Sequence, residues 1–331
     1  MKHSNIAFFI PHIGCPNRCS FCNQNTISGE IDVPRANDII NVLKNAVLNK
    51  TYIQLKNTEI AFFGGSFTAI EREYMTELLD ATRDFVGEEK IGGIRISTRP
   101  DAINEEILEF LKRYNVTSIE LGAQSMCDDV LLKNLRGHTS NQVEIASNLI
   151  KKHGFSLGLQ MMTGLYGDTE NGAITTANKI IALKPDTVRI YPTVVLKDTY
   201  LEKLYLQGVF YPFDIEKTVS LCAHLVEMFE KNEITVIRIG LHDKPSLKEN
   251  FVAGAYHPAL GELILGEIMF NKIKTWIENC TEKNITIKVN PKNVSQVIGQ
   301  KKRNIERFTK LGYNLDIISD NSVVFNDIKF I

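Results

Sequence analysis

The sequence has 331 residues, 44% hydrophobic and 23% charged, with 39 acidic against 38 basic side chains and a net charge of −1. That composition suits one large domain plus a small one, or two domains. No run approaches the roughly eighteen consecutive apolar residues of a membrane helix, and no basic-then-apolar leader opens the chain, so membrane, secreted and fibrous readings are set aside and a cytoplasmic setting is expected.

Short runs rich in Ile, Val and Phe recur along the first 240 residues: Ile6 to Ile10, Glu59 to Phe63, Ile94 to Thr98, Ser118 to Leu121, Ser156 to Met162, Thr187 to Tyr191 and Thr235 to Ile239. Each reads as a buried strand. Stretches with helical period lie between most of them, including Asn104 to Lys112, Asn141 to Lys152 and Asp214 to Lys231. Strand alternating with helix predicts a parallel sheet, and this many units predict an α/β full or partial (β/α) barrel with its chemistry at the C-terminal strand ends. Leu241 to Lys248 then reads as a loop and Leu260 to Asn279 as a long helix. The last 48 residues restart with a strand at Ile285, helices at Asn293 to Ile298 and Arg303 to Leu311, and strands at Leu315 to Ile318 and Val323 to Phe325. The expected organisation is a barrel over 1–245, a helical extension packing on it over 246–283, and a small α+β module over 284–331.

Six cysteines are too few and too uneven for a disulfide scaffold, because Cys15, Cys19 and Cys22 crowd one short loop after the first strand. Three thiolates there can hold three irons of a [4Fe-4S] cluster and leave the fourth open. A closed zinc site needs a fourth ligand, for which His12 is the one plausible completion. The second strand runs into Gly64 and Gly65, which permit close backbone approach to a ligand. Gly-Gly after a strand is by itself more often a plain turn. Polar groups then cluster at later strand ends: Ser97, Gln124, Arg136, Gln160.

With these residues on the page, the sequence resembles the radical S-adenosylmethionine (SAM) enzymes, whose signature is C-x3-C-x2-C at the first strand end. The resemblance implies a radical SAM type partial barrel. It assigns the cluster to Cys15, Cys19 and Cys22, the adenine contact to Phe21, and the SAM amino group to Gly64 and Gly65. Ser97-Thr-Arg-Pro-Asp, Glu120-Leu-Gly-Ala-Gln-Ser and Arg136-Gly-His-Thr resemble the subgroup of the Elongator catalytic subunit and oxygen-independent coproporphyrinogen oxidase. By that likeness Ser97, Gln124, Arg136 and Gln160 are SAM contacts, with Gln160 standing where the oxidase has a ribose-binding Asp. Read blandly, Arg136 caps a helix and His138 lies on the surface. Arg189-Ile-Tyr-Pro-Thr, Thr199-Tyr-Leu-Glu-Lys-Leu and Gly254-Ala-Tyr-His-Pro-Ala extend the likeness toward the Elongator subunit and make Tyr191, Tyr256 and His257 candidates on the substrate side, or packing residues. No acetyltransferase-like domain like that subunit's is expected within these 331 residues, so use of acetyl-CoA is not carried over.

From residue 284 onward there are eight Lys or Arg against four Asp or Glu. Gly299-Gln-Lys-Lys between two short apolar helices resembles the GXXG loop of a KH module, which clamps nucleotide phosphates, with Lys302 replacing the second glycine. Lys301, Lys302, Arg303, Arg307 and Lys310 form its expected cationic face. The sequence therefore reads as a radical SAM enzyme modifying a base in tRNA or rRNA, served by an electron donor such as flavodoxin or ferredoxin. Two alternatives stay open: a radical SAM enzyme acting on a small tetrapyrrole-like molecule, and a non-catalytic RNA-binding protein with a structural metal site. Methylthio transfer is disfavoured because the other cysteines are scattered, and Cys127 reads as a small buried apolar residue.

Overall fold

The computed structural model describes residues 4–11, 13–16, 18–29, 32–278 and 280–331, with every side chain among them but those at 52 and 53. It divides into two compact units, Met1–Phe213 with Phe229–Ala255, and Asp214–Met228 with Tyr256–Ile331.

The first unit holds strands β1 (Ser4–Ile10), β2 (Thr58–Gly64), β3 (Gly93–Thr98), β4 (Val116–Gln124), β5 (Ser156–Thr163), β6 (Thr187–Pro192), β7 (Val194–Leu196), β8 (Thr235–Ile239) and β9 (Phe251–Gly254). Seven of them form one sheet in the order β1-β2-β3-β4-β5-β6-β8, every neighbouring pair parallel. Among the described residues β1 and β8 end the sheet without pairing to each other, and the strands form an open half-barrel. Chain order equals sheet order, as successive βα units require. All seven strands expected from the apolar runs are present. The antiparallel pair β7 and β9 was not legible, because each is only 3 or 4 residues long and carries no periodicity to read. Within the expected loop after Gly240, Pro245–Asn250 forms a short helix.

Register explains how the sheet divides its residues. Ile60, Phe62, Ile94, Ile96, Ile119, Leu121, Leu157, Leu159, Val188 and Ile190 alternate onto one face and are buried. Helices supply the matching layer, with Leu78 and Leu79, Ile107 and Leu111, Val143 and Ile150, and Ala177 and Ile180 buried in turn. Each large aliphatic chain so buried contributes roughly 2 to 3 kcal/mol. The opposite, concave face is polar. There Arg95 Nε reaches Glu59 at 2.7 Å, Arg95 Nη1 reaches Glu120 at 2.9 Å and Arg189 Nε reaches Glu120 at 2.7 Å, a ladder of ion pairs across β2, β3, β4 and β6. Thr117 and Ser118 hydroxyls donate to Glu59 at 3.0 and 2.7 Å.

The second unit contains the helix Leu260–Ile277, β10 (Asn284–Val289), helices Val294–Ile298 and Arg303–Lys310, β11 (Asn314–Ser319) and β12 (Ile328–Phe330). β10 is central, parallel to β11 and antiparallel to β12. Met269, Phe270, Ile273 and Ile277 of the long helix share one core with Ile285, Ile287, Val289, Val297 and Phe308. That helix therefore belongs with the C-terminal sheet, while β9 belongs with the first unit, so residues 246–283 do not form the separate extension the sequence led us to expect. The last expected strand is also displaced. Val323–Phe325 lies in a turn nucleated by Asp320, which accepts from the Ser322 backbone and hydroxyl, and the pairing strand is β12. Among the described residues no helix is long and apolar enough to cross a membrane.

Candidate active site

The loop after β1 carries Cys15, Cys19 and Cys22, of which Cys19 is buried and the other two half-buried. Gly14 and Gly65 let this loop lie against the end of β2: a Cβ on Gly65 would stand 2.0 Å from the Ile13 carbonyl oxygen. The backbone NH groups of Gly65 and Ser66 donate to Ile10 and Ile13 at 2.7 and 3.2 Å, and Gln24 Nε2 donates to the Gly64 carbonyl at 2.8 Å. Cysteine loop and glycine pair are thus one construction, which neither motif alone announces.

The thiols feel one another. Burial, then Cys19 and Cys15, push the Cys22 thiol up to about 12, and burial followed by Cys19 raises Cys15. Such crowding disfavours three free thiolates and favours a cation that binds them deprotonated. Among the described residues no three His, Cys, Asp or Glu side chains are close enough to share a single metal ion. A [4Fe-4S] cluster, which takes one thiolate on each of three irons, matches the donor chemistry of three cysteines on one loop. His12 lies outside the described residues.

Arg136 faces this loop. Its Nη1 donates to Cys19 Sγ at 2.9 Å and its Nη2 to the Gly122 carbonyl at 2.7 Å, while Nε is buried without a partner. It is therefore not a helix cap. Arg99 supports it, donating to the Arg136 carbonyl at 2.5 Å and pairing with Asp101 at 2.9 Å, and leaves its own Nη1 buried and unpartnered. Two buried guanidiniums with orphaned NH groups beside a thiol loop are suited to an anionic ligand such as a carboxylate.

Gln124 lies at a bulge in β4 with φ of 65°, a conformation that costs a non-glycine residue about 1 to 2 kcal/mol and re-aims its side chain. It accepts from Gln160 Nε2 at 3.1 Å, so the two glutamines stand together on adjacent strands. Ser97 is half-buried on the concave face opposite Glu120, whereas Thr98 bonds Ser66 and Thr68 at 2.8 and 2.6 Å and ties β3 to the glycine turn. Phe21 packs beside Val195, Leu201, Leu204 and Phe210 on one side and Val130, Met162 and Leu165 on the other, anchoring the cysteine loop.

Tyr191 stands on the concave face, its hydroxyl 3.5 Å from Arg189 Nη1. Tyr256 and His257 belong to the second unit, where His257 Nδ1 accepts from the Ala259 NH at 3.0 Å. Arg99, Arg238 and the ladder through Glu120 were not singled out from the sequence, although charges inside otherwise apolar strands are a readable signal.

His138 is buried, not a surface residue: only 5% is exposed and Nε2 lies 3.3 Å from the Ala123 carbonyl. Burial, then the charge of Arg136, lowers its pKa to about 4 from 6.5. Between these values the unfolded chain binds a proton that the folded one does not. This contribution to stability is complete above pH 6.5 and declines by about 3 kcal/mol as the pH falls toward 4. Urea unfolding across that range is expected to show a shallower acid limb for His138→Gln; an identical limb would reject this origin.

Residues 9–180 match the radical SAM superfamily and residues 185–269 the Radical_SAM C-terminal domain. The chain belongs to the radical SAM superfamily and is an enzyme of that class, whose cofactors are a [4Fe-4S] cluster and SAM. Within it, the chain is 28% identical over 230 residues to an uncharacterised protein of Methanocaldococcus jannaschii, covering 68% of this chain and 67% of that one. It is 30% identical over 192 residues to human Elongator complex protein 3, covering 51% of this chain and 35% of that protein. With the tRNA uridine(34) acetyltransferase of M. jannaschii it shares 26% identity over 244 residues, covering 68% of this chain and 44% of that one. The solved structure of Methanocaldococcus infernus Elp3 superposes with a TM-score of 0.63 at 21% identity, covering 83% of this chain and 62% of that one, a likeness of fold. The chain thus spans less than half the length of these Elongator and acetyltransferase relatives.

Proposed function

We propose that this enzyme modifies a base in tRNA or rRNA. The observation that carries the reading is the turn Gly299–Lys302, together with relatives named for tRNA modification. Gly299 has φ of 74°, and a Cβ there would meet Asn304 at 3.0 Å. Lys301 and Lys302 follow at φ of 52° and 63°, both exposed, so the turn presents consecutive cations between two helices. The β10-helix-turn-helix-β11 order supports the reading of a KH-like module, in which such a turn approaches phosphates. Arg303 and Lys310 extend the cationic face. Arg307 does not: it forms a two-pronged ion pair with Glu267 at 2.5 and 2.9 Å and lies over the Phe270 ring, so its charge serves packing.

In this reading Cys15, Cys19 and Cys22 hold the cluster. The Arg136 guanidinium receives the carboxylate of SAM, Gly64 and Gly65 its amino group, Phe21 the adenine, and Ser97, Gln124 and Gln160 the remaining polar edges. When bound and reduced by one electron, the cofactors supply a 5′-deoxyadenosyl radical that removes a hydrogen atom from substrate. Residues of this chain orient the ligands and keep water from the concave face, with Tyr191 on the substrate side. Tyr256 and His257 are kept as substrate candidates on their residue types alone. The electron comes from a donor such as flavodoxin or ferredoxin.

Reversing the charges of Lys301, Lys302 and Arg303 is expected to weaken RNA binding by about tenfold or more at moderate salt and to flatten its salt dependence. SAM cleavage without RNA is expected to persist. Filter-binding titrations at low and moderate salt test this; equal affinity of the variant and the unaltered protein would remove the RNA role of the turn.

A further inference from the structure

The concave face carries a second polar cluster beside the glutamine positions, for Arg189 is the register partner of Gln160. Phe9 and Phe63 are register partners on β1 and β2, with ring centroids 6.2 Å apart. Each stands one residue before the strand end that leads into the cysteine loop or the glycine pair. Arg189 Cζ lies 5.0 Å over the Phe63 ring, and Lys244 Nζ lies 5.0 Å over the Phe9 ring. Lys244 also donates to the Ser28 carbonyl, and Ser246 Oγ donates to the Thr26 carbonyl at 2.8 Å, so the loop after β8 is fastened to the helix following the cysteines.

Arg238, the register partner of Arg189, donates from Nε to the Gly240 carbonyl at 2.8 Å. Arg189 is neutralised by Glu120, but among the described residues no carboxylate forms an ion pair with Arg238 or Lys244. Burial, then the charges of Arg238, Arg189 and Lys244, all cationic, lowers the pKa of His242. Burial likewise works against the charge of Arg238. Half-buried cations with no carboxylate paired to them among the described residues, Lys244 lying over the Phe9 ring, are costly until an anion arrives. A guanidinium fork matches phosphate or carboxylate with two parallel hydrogen bonds.

We infer that this wall is an oxyanion subsite for substrate, with Arg238 as the fork and Lys244 as the second charge. The inference rests on the RNA reading only for the source of the anion, a phosphate of the nucleotide; a carboxylate would come from a small molecule. The test titrates anaerobically reconstituted full-length protein, saturated with SAM, with inorganic phosphate and with acetate by calorimetry. Phosphate is expected to bind, about tenfold more weakly to Arg238→Gln, with Arg238→Lys between because it keeps the charge and loses the fork. Tighter binding of acetate, with the same loss in Arg238→Gln, keeps the subsite and makes the anion a carboxylate. Unchanged affinity in Arg238→Gln, or no measurable binding of either anion, overturns the subsite, and overturns it alone if RNA is nevertheless modified. Binding lost in Arg238→Gln while cellular RNA nucleosides are unaltered upholds the subsite and rejects the RNA reading.

Discussion

Cys19→Ala is expected to abolish cluster loading and with it SAM cleavage, a loss of several orders of magnitude in 5′-deoxyadenosine formed under anaerobic reductant. Cys19 is the buried member of the triad, and its sulfur receives the Arg136 guanidinium at 2.9 Å. Removing it takes away one of three proposed iron ligands and leaves Arg136, already without a partner at Nε, facing an apolar methyl. Iron content and visible absorbance after reconstitution check the loading, and product chromatography checks the cleavage. Full iron content with undiminished 5′-deoxyadenosine would show that the cluster sits elsewhere.

Glu120→Ala is expected to destabilise the first unit by about 3 to 5 kcal/mol, the cost of leaving a buried charge unpaired. Glu120 is 4% exposed and holds both Arg95 and Arg189, so its loss strands Arg189 and leaves Arg95 with Glu59 alone. For Arg189, burial works against the charged form, and Glu120 and Tyr191 together more than offset it. Glu120→Gln keeps the shape and part of the hydrogen bonding and is expected to lose less. Urea unfolding measures both variants; a cost below about 1 kcal/mol for alanine would mean that water already reaches the ladder.

Much of this architecture can be read in the chain because the barrel strands are buried on their helix-facing side by near-continuous Ile, Leu and Phe. The turns between them carry recognisable chemistry. The cysteine triad, the glycine pair and Arg136 are legible as residue types at strand ends, and the structure gathers Arg136 and Cys19 into direct contact. What escaped reading has a common cause, dependence on pairing between distant segments. β7 meets β9 across more than fifty residues, the long helix finds its core in the C-terminal sheet, and Arg307 is engaged by Glu267 of that helix. The polar concave face escaped for another reason. A charge inside an apolar run is visible, but whether Arg238 finds a carboxylate is decided by register alone.

The most direct test of the proposed function compares nucleosides by mass spectrometry from fractionated tRNA and rRNA of a deletion strain, its parent, and the deletion strain carrying Cys19→Ala. The account predicts one nucleoside present in the parent and missing from both others. Identical nucleosides in all three, with the protein expressed in the parent, would contradict it.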